Sequence, residues 1–425
     1  MKDDGYAKTT LPNGVRVISE HMPYARSVAM GLWVGVGSSH EEPALRGISH
    51  CIEHMLFKGT PTRNARQIAE LMDSVGGNLN AFTDKETTCY HARVADAQAR
   101  LALEVLCDMF VHSLFEPEEL RKEQQVILEE IRMYDDSPDE VSQDLFLKSV
   151  WGGSALGEPT IGYAETVSAI SREAIVRYMA EKYAAGAVVV SAAGNVDHEQ
   201  FTADVARLLG GMPAAAGAAD IERPQFRPVS VVRHKDCEQV YVLVGSEGTS
   251  AADERRYTIS VLDAILGGGM ASRLFQEIRE KRGLVYSVYS SHNLYRSAGL
   301  FAVSASTQPR NAQQVVDLIN RELQRIAESG ITSEELSRAK EHLKGNLLLS
   351  LESTSSRMLR LGRYELSVGR HVPLSEIIAR VDAVSKQQVD DIAREMFVPE
   401  RTALTVLGKV DPAFEPRAAY LTESA

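Results

Sequence analysis

Two histidines four residues apart with a glutamate between them, His50-Cys51-Ile52-Glu53-His54, are the side chains best placed to do chemistry in this 425-residue chain. The run around them, Leu45 to Phe57, has helical periodicity. On a helix, residues four apart share a face, with Cβ atoms roughly 5–6 Å apart, so both imidazoles can point at one ion. The spacing is that of the inverted zinc motif His-x-x-Glu-His. Glu53 flanks the same face, and a carboxylate beside the ion can take a proton from metal-bound water, as hydrolysis requires. A hydrolytic zinc takes three protein ligands and keeps one position for water, so a third donor must come from another element. Pro117-Glu118-Glu119-Leu120 reads as a helix start, and the helix carries Glu123, Glu129 and Glu130. Glu123 and Glu130 share a face, and Glu129 points about 100° away from Glu130. Spacing leaves the choice among them open.

The elements that must hold these residues follow from pattern. Ala29 to Val36 and Val240 to Val244 read as strands, and Gly76 to Val94 as a hairpin. Tyr183 to Ala193 is apolar but well short of the roughly 20 residues that cross a bilayer, and reads as a buried strand. Asp96 to Phe110 and Asn311 to Ile326 have apolar residues at helical spacing, which marks faces packed on a sheet. The pattern repeats. Ser171 opens a helix followed by a strand ending Gly194-Asn195-Val196-Asp197; Ser385 opens another, ending Gly408-Lys409-Val410-Asp411, 214 positions later. The helix at Glu118 likewise has a counterpart at Glu334, 216 positions on. Two agreeing offsets predict duplicated domains. The Ala/Gly/Pro-rich stretch between them predicts a linker. The expectation is an α+β protein with two homologous domains, each a mostly antiparallel sheet covered by helices. Residues 1–212 form the metal-binding domain, 213–228 the linker, and 229–425 the second domain.

Composition narrows the function classes. Acidic residues exceed basic ones by 58 to 46, and a net charge of −12 disfavours a nucleic-acid surface. The start, Met1 to Asn13, is polar, carries Asp3 and Asp4, and lacks the apolar core of a secretory signal, so export and a membrane location are not expected. The four cysteines, Cys51, Cys89, Cys107 and Cys237, form no Cys-x-x-Cys pair and fit a reducing cytoplasm. Cys51 reads as a packing residue, with a thiol that could make activity sensitive to thiol reagents. Gly267-Gly268-Gly269 is not followed by Gly-Lys-Ser/Thr, which argues against a phosphate loop. His91 is set aside as structural. Asp135, Asp136, Asp139 and Glu140 read as a solvated acidic loop.

HCIEH, the later VILEEI and the string LGGGMASRLFQEIREKRGLVYS together resemble the inverzincin peptidases related to pitrilysin, insulysin and mitochondrial processing peptidase. The resemblance spans essentially the whole chain, whose length is similar to the short bacterial processing-peptidase-like members. It implies that Glu130, 76 positions after His54, is the third ligand, with Glu123 a supporting carboxylate. It implies that Arg279 and Tyr286 contact the substrate and the developing oxyanion. Asn80, Ala81, Phe82 and Thr83 become a substrate-binding edge strand to which an extended peptide adds. Gly267, Gly268 and Gly269 become a mobile loop over the substrate cavity. Asn346 stands where a second Glu130 would, and there is no second His-x-x-Glu-His, so one Zn2+ per chain is expected. The resemblance further implies a clamshell formed by dimerisation, a homodimer sharing active sites across protomers. The expected activity is that of a zinc metalloendopeptidase acting on extended peptides enclosed in a cavity. The rival expectations are a non-catalytic core-type subunit of the same fold and a peptide-binding scaffold with a structural metal.

Overall fold

The computed structural model describes residues 5–214, 221–411 and 413–416. Asp3, Asp4 and the middle of the expected linker lie outside the described residues. The first sheet has six strands: β1 (Tyr6–Thr10), β2 (Arg16–His21), β3 (Ser27–Val34), β4 (Asn78–Thr83), β5 (Thr88–Ala95) and β6 (Val188–Gly194), in the order β1-β2-β6-β3-β5-β4. Only β2 and β6 are parallel neighbours. The second sheet contains β7 (Ser230–Arg233), β8 (Val240–Glu247), β9 (Val285–Leu294), β10 (Gly299–Thr307) and β11 (Thr402–Leu407), in the order β7-β11-β8-β10-β9. Its one parallel pair is β7 with β11. Position for position this repeats β2-β6-β3-β5-β4, so the duplication legible in the offsets is a duplication of topology.

The helices used below are α1 (Ile48–Leu56), α2 (Ala65–Ser74), α3 (Ala99–His112), α4 (Pro117–Asp136) and α5 (Pro138–Val150), with later helices given by range. Strand β3 explains why the sheet needs helices on both faces. Val28, Met30, Leu32 and Val34 join the core under α1 and α3, while Ala29 and Trp33 join a second cluster on the opposite face. A strand buried on both faces reads as a continuous apolar run, as this one does.

The helix covering the second face comes from the other repeat, and here the chain departs from the expected boundaries. The compact units are Met1–Arg132, Pro159–Ile221 and Leu349–His371 for the first, and Met133–Glu158, Glu222–Leu348 and Val372–Ala425 for the second. In the first unit, Met358 and Leu361 of the helix Thr354–Ser367 pack on Trp33, Ala29 and Val189. In the second, Phe146 and Val150 of α5 pack on Leu243, Leu300 and Ala302. The two helices begin 216 positions apart, so the exchange is reciprocal. Close approach sets the fit: a Cβ on Gly362 would lie 2.2 Å from the Trp33 ring. Buried Glu20 in β2 adds an ion pair with Arg357 and another with Arg360 at 3.5 Å.

Two local expectations also change. The motif helix begins at Ile48, not Leu45, because Gly47 takes a left-handed φ of 92° after a turn at Pro43–Leu45. The acidic run is helical: Asp135 and Asp136 end α4, and Asp139 and Glu140 open α5 behind Pro138. The carboxylates of Asp139 and Glu140, in the first turn of α5, complement its dipole. Among the described residues no helix is long and apolar enough to cross a membrane.

Candidate metal centre

Helix α1 turns His50 and His54 to one side, with ring centroids 4.6 Å apart. From α4, Glu130 Oε2 lies 3.9 Å from His50 Nε2 and 3.6 Å from His54 Nε2. The three residues bring one ligand atom each within 4.8 Å of one another. Donors around a tetrahedral zinc with bonds of about 2.1 Å sit about 3.4 Å apart, so the two distances to Glu130 exceed that spacing by only about 0.5 and 0.2 Å. The candidates that spacing left open are separated by the structure. Glu129 is exposed and pairs with Arg132. Glu123 is buried two turns before Glu130 and stands behind the ligands: its Oε2 accepts from His54 Nδ1 at 3.0 Å, and its Oε1 receives Lys58 Nζ at 2.5 Å. That bond leaves His54 Nε2 as the free donor atom, the usual device for orienting a metal-binding imidazole. His50 Nδ1 is buried without a hydrogen-bond partner among the described residues.

The electrostatics suit a cation. Burial, helped by the charge of His54, pushes the His50 pKa down to about 4, so this imidazole is neutral and its lone pair available. Burial also opposes charge on His54, but the Glu123 hydrogen bond and the charges of Glu130, Glu123 and Glu53 outweigh it and raise its pKa. Glu53 stands apart from this trio. Burial raises its pKa, and its Oε2 accepts a 2.5 Å bond from the Thr83 hydroxyl. Thr83, read as a substrate contact, therefore positions Glu53.

The sequence reading missed Glu41, which is 4% exposed. Its two carboxylate oxygens accept the Gly47 and Ser49 backbone N–H groups, each at 2.8 Å, and so cap the N-terminus of α1 from the preceding loop. No sequence rule selects it, because the acceptor lies six residues before the first N–H it meets. Cys51 is fully buried beneath the motif, and burial, with the charges of Glu123 and Glu41, pushes its thiol up to about 12. Such burial is that of the packing residue expected and argues against the reagent sensitivity.

The remaining site candidates fall into two places. Asn80, Ala81, Phe82 and Thr83 lie on β4, the edge strand, paired only with β5. The second unit brings Arg279 and Tyr286 together, with the guanidinium 5.2 Å from the ring centre. Arg279 sits in a π-helical turn, Phe275–Glu280, and Tyr286 is 78% exposed on β9. Gly267 ends the helix Arg256–Leu266, and Gly268 and Gly269 follow, exposed. The N–H groups of Gly267 and Gly268 both bond to the Asp263 carbonyl.

Residues 16–163 match the insulinase family, peptidase family M16, and residues 169–343 match the domain described as the peptidase M16 inactive domain. The chain belongs to peptidase family M16. Among relatives of this M16 chain, the uncharacterized zinc protease YmxG of Bacillus subtilis is 45% identical over 92% of this chain and 95% of its own. An uncharacterized zinc protease of Streptomyces coelicolor is 41% identical over 94% and 89%. In fold, the M16 chain matches a Pseudomonas fluorescens structure described as a peptidase M16 inactive domain, with TM-score 0.90, 21% identity, and coverage of 97% and 100%. A protease from Helicobacter pylori matches with TM-score 0.88 at 21% identity, over 95% and 99%. The M16 inactive-domain match falls largely on the repeat in which Asn346 replaces the glutamate ligand candidate.

Proposed function

We propose that this M16 chain is a zinc metalloendopeptidase that cleaves extended peptides, with one zinc held by His50, His54 and Glu130. The carrying observation is that three donors converge while a fourth group, the Glu53 carboxylate, is held beside them by Thr83 and not among them. When bound, zinc supplies a Lewis acid and lowers the pKa of water at the site. Glu53 takes the proton of the attacking water on Oε1, the oxygen that Thr83 leaves free, and returns it to the departing amine. Its raised pKa brings the base closer to working pH. The open edge of β4 offers backbone groups to a substrate strand. Arg279 and Tyr286 donate to the developing oxyanion. Gly267, Gly268 and Gly269 form the loop over the bound peptide. A homodimer brings each Arg279–Tyr286 pair to the partner's metal centre, closing a clamshell around the substrate. Three buried, unpaired thiols, Cys51, Cys89 and Cys107, agree with a cytoplasmic location.

The second reading, a non-catalytic subunit, takes its support from the inactive-domain match. Digestion of a peptide library with and without chelator, read by mass spectrometry, separates the two. Metal-dependent internal cleavage is expected. Zinc binding without any cleavage would overturn the enzymatic reading.

A further inference from the structure

The second unit holds a cavity of about 290 Å³ that shares no residue with the metal centre. Its volume is just below the range for drug-sized ligand sites, roughly 300–1,000 Å³. Ser246, at the end of β8, and Thr249 line it. They are 1% and 6% exposed, and both hydroxyls are buried without a hydrogen-bond partner among the described residues. Buried polar groups in folded proteins are almost always satisfied, so two unmet hydroxyls in one cavity mark a place for polar atoms from outside the chain.

The rest of the lining says what kind of molecule brings them. Phe226, Pro228, Ile392 and Met396 supply apolar wall. Three guanidinium groups, Arg223, Arg255 and Arg401, are interleaved with three carboxylates, Glu247, Glu395 and Glu400. Arg223 pairs with Glu247 at 2.8 Å, and Arg255 with Glu395 at 3.2 Å and with Asp253, outside the lining, at 2.9 Å. Arg401 donates to the Glu395 backbone carbonyl at 3.3 Å but reaches its carboxylate only at 3.9 Å, and Glu400 makes no ion pair among the described residues. A simple anion would meet three carboxylates here and a simple cation three guanidiniums. A molecule carrying both charges meets a partner for each: its carboxylate faces Arg401 and the hydroxyls, and its ammonium faces Glu400.

We propose that this cavity binds a small zwitterion with an apolar side chain, either a free amino acid or a short peptide. The expectation that such molecules are at hand rests on the peptidase reading; the binding itself does not. The test is isothermal titration of the full-length chain with L-leucine, and of the Glu53→Gln chain with Leu-Leu so that no turnover consumes it. Saturable binding of at least one is expected, and the tighter of the two identifies the source. N-acetyl-leucine and leucinamide, each lacking one charge, should bind at least about tenfold more weakly, the loss expected for one charge-assisted hydrogen bond. Thr249→Val and the surface change Arg401→Gln should each weaken binding by about as much, with chelation of the metal leaving it unchanged. Absence of saturable binding by every probe would overturn the proposal. So would equal affinity for the singly charged derivatives, indifference to both substitutions, or loss of binding on chelation. None of these readouts requires cleavage, so a failed peptidase reading would leave its own separate mark.

Discussion

Glu53 and Glu130 carry the same functional group, and their surroundings give them different work. Glu130 faces two imidazole nitrogens, whereas Glu53 is tied to Thr83 with one oxygen left over. Glu53→Gln should therefore retain zinc by elemental analysis and lose about 10²–10⁴-fold in kcat, the usual worth of a general base. Normal turnover by that variant would remove Glu53 from the mechanism. Glu41 invites a pH measurement. Burial pushes its carboxyl up to about 7, from 4.5, against the lowering effect of the Ser49 and Gly47 hydrogen bonds and of Arg46. The folded chain thus holds this proton to higher pH than the unfolded chain. The stability this contributes is full below 4.5 and is lost as pH rises through about 7. Thermal melts between about pH 5 and about pH 8 should slope downward more steeply for the wild type than for Glu41→Gln. At this scale the motif was legible because its spacing is local. Glu41 and Lys58 were not, since each acts on a neighbour that only the folded loop and α4 bring near.

At the scale of elements, periodicity and the two offsets foretold β3 to β6, β8 and β11, several of the helices, α1, α3 and α4 among them, and the duplication. They could not foretell the exchange of α5 and Thr354–Ser367, because amphipathic spacing shows that a helix has an apolar face and not which sheet that face covers. The contact itself can be tested. Gly362→Ala drives a methyl group into the Trp33 ring and should cost about 1–3 kcal/mol in urea unfolding, as overpacking does. Phe146→Ala, in the reciprocal contact, opens a cavity and should cost about 3–5 kcal/mol. An unchanged urea midpoint for either would show that the exchanged helix contributes little. The cluster around Asp263 works in the same way within the second unit. His292 Nδ1 donates to it at 2.9 Å and Ser290 bonds to it as well, tying β9 to the helix that ends in the glycine triplet.

For the whole molecule, the proposed homodimer makes a prediction that neither unit makes alone. Chains carrying Glu53→Gln and chains carrying Tyr286→Phe should each be weakly active. Mixed after unfolding and refolding together, they should regain about one quarter of wild-type activity, because half the dimers are mixed and each has one intact site. No regain would mean that each chain completes its own site or that the pair acts elsewhere. The reciprocal loan of helices has a consequence for ancestry. Once each copy covers its sheet with a piece of its sibling, neither can be discarded, although the second has Asn346 where the first has Glu130. A gene cut near codon 220 should yield two products that are insoluble apart and rescued by co-expression, which makes the duplicated protein hereditarily indivisible.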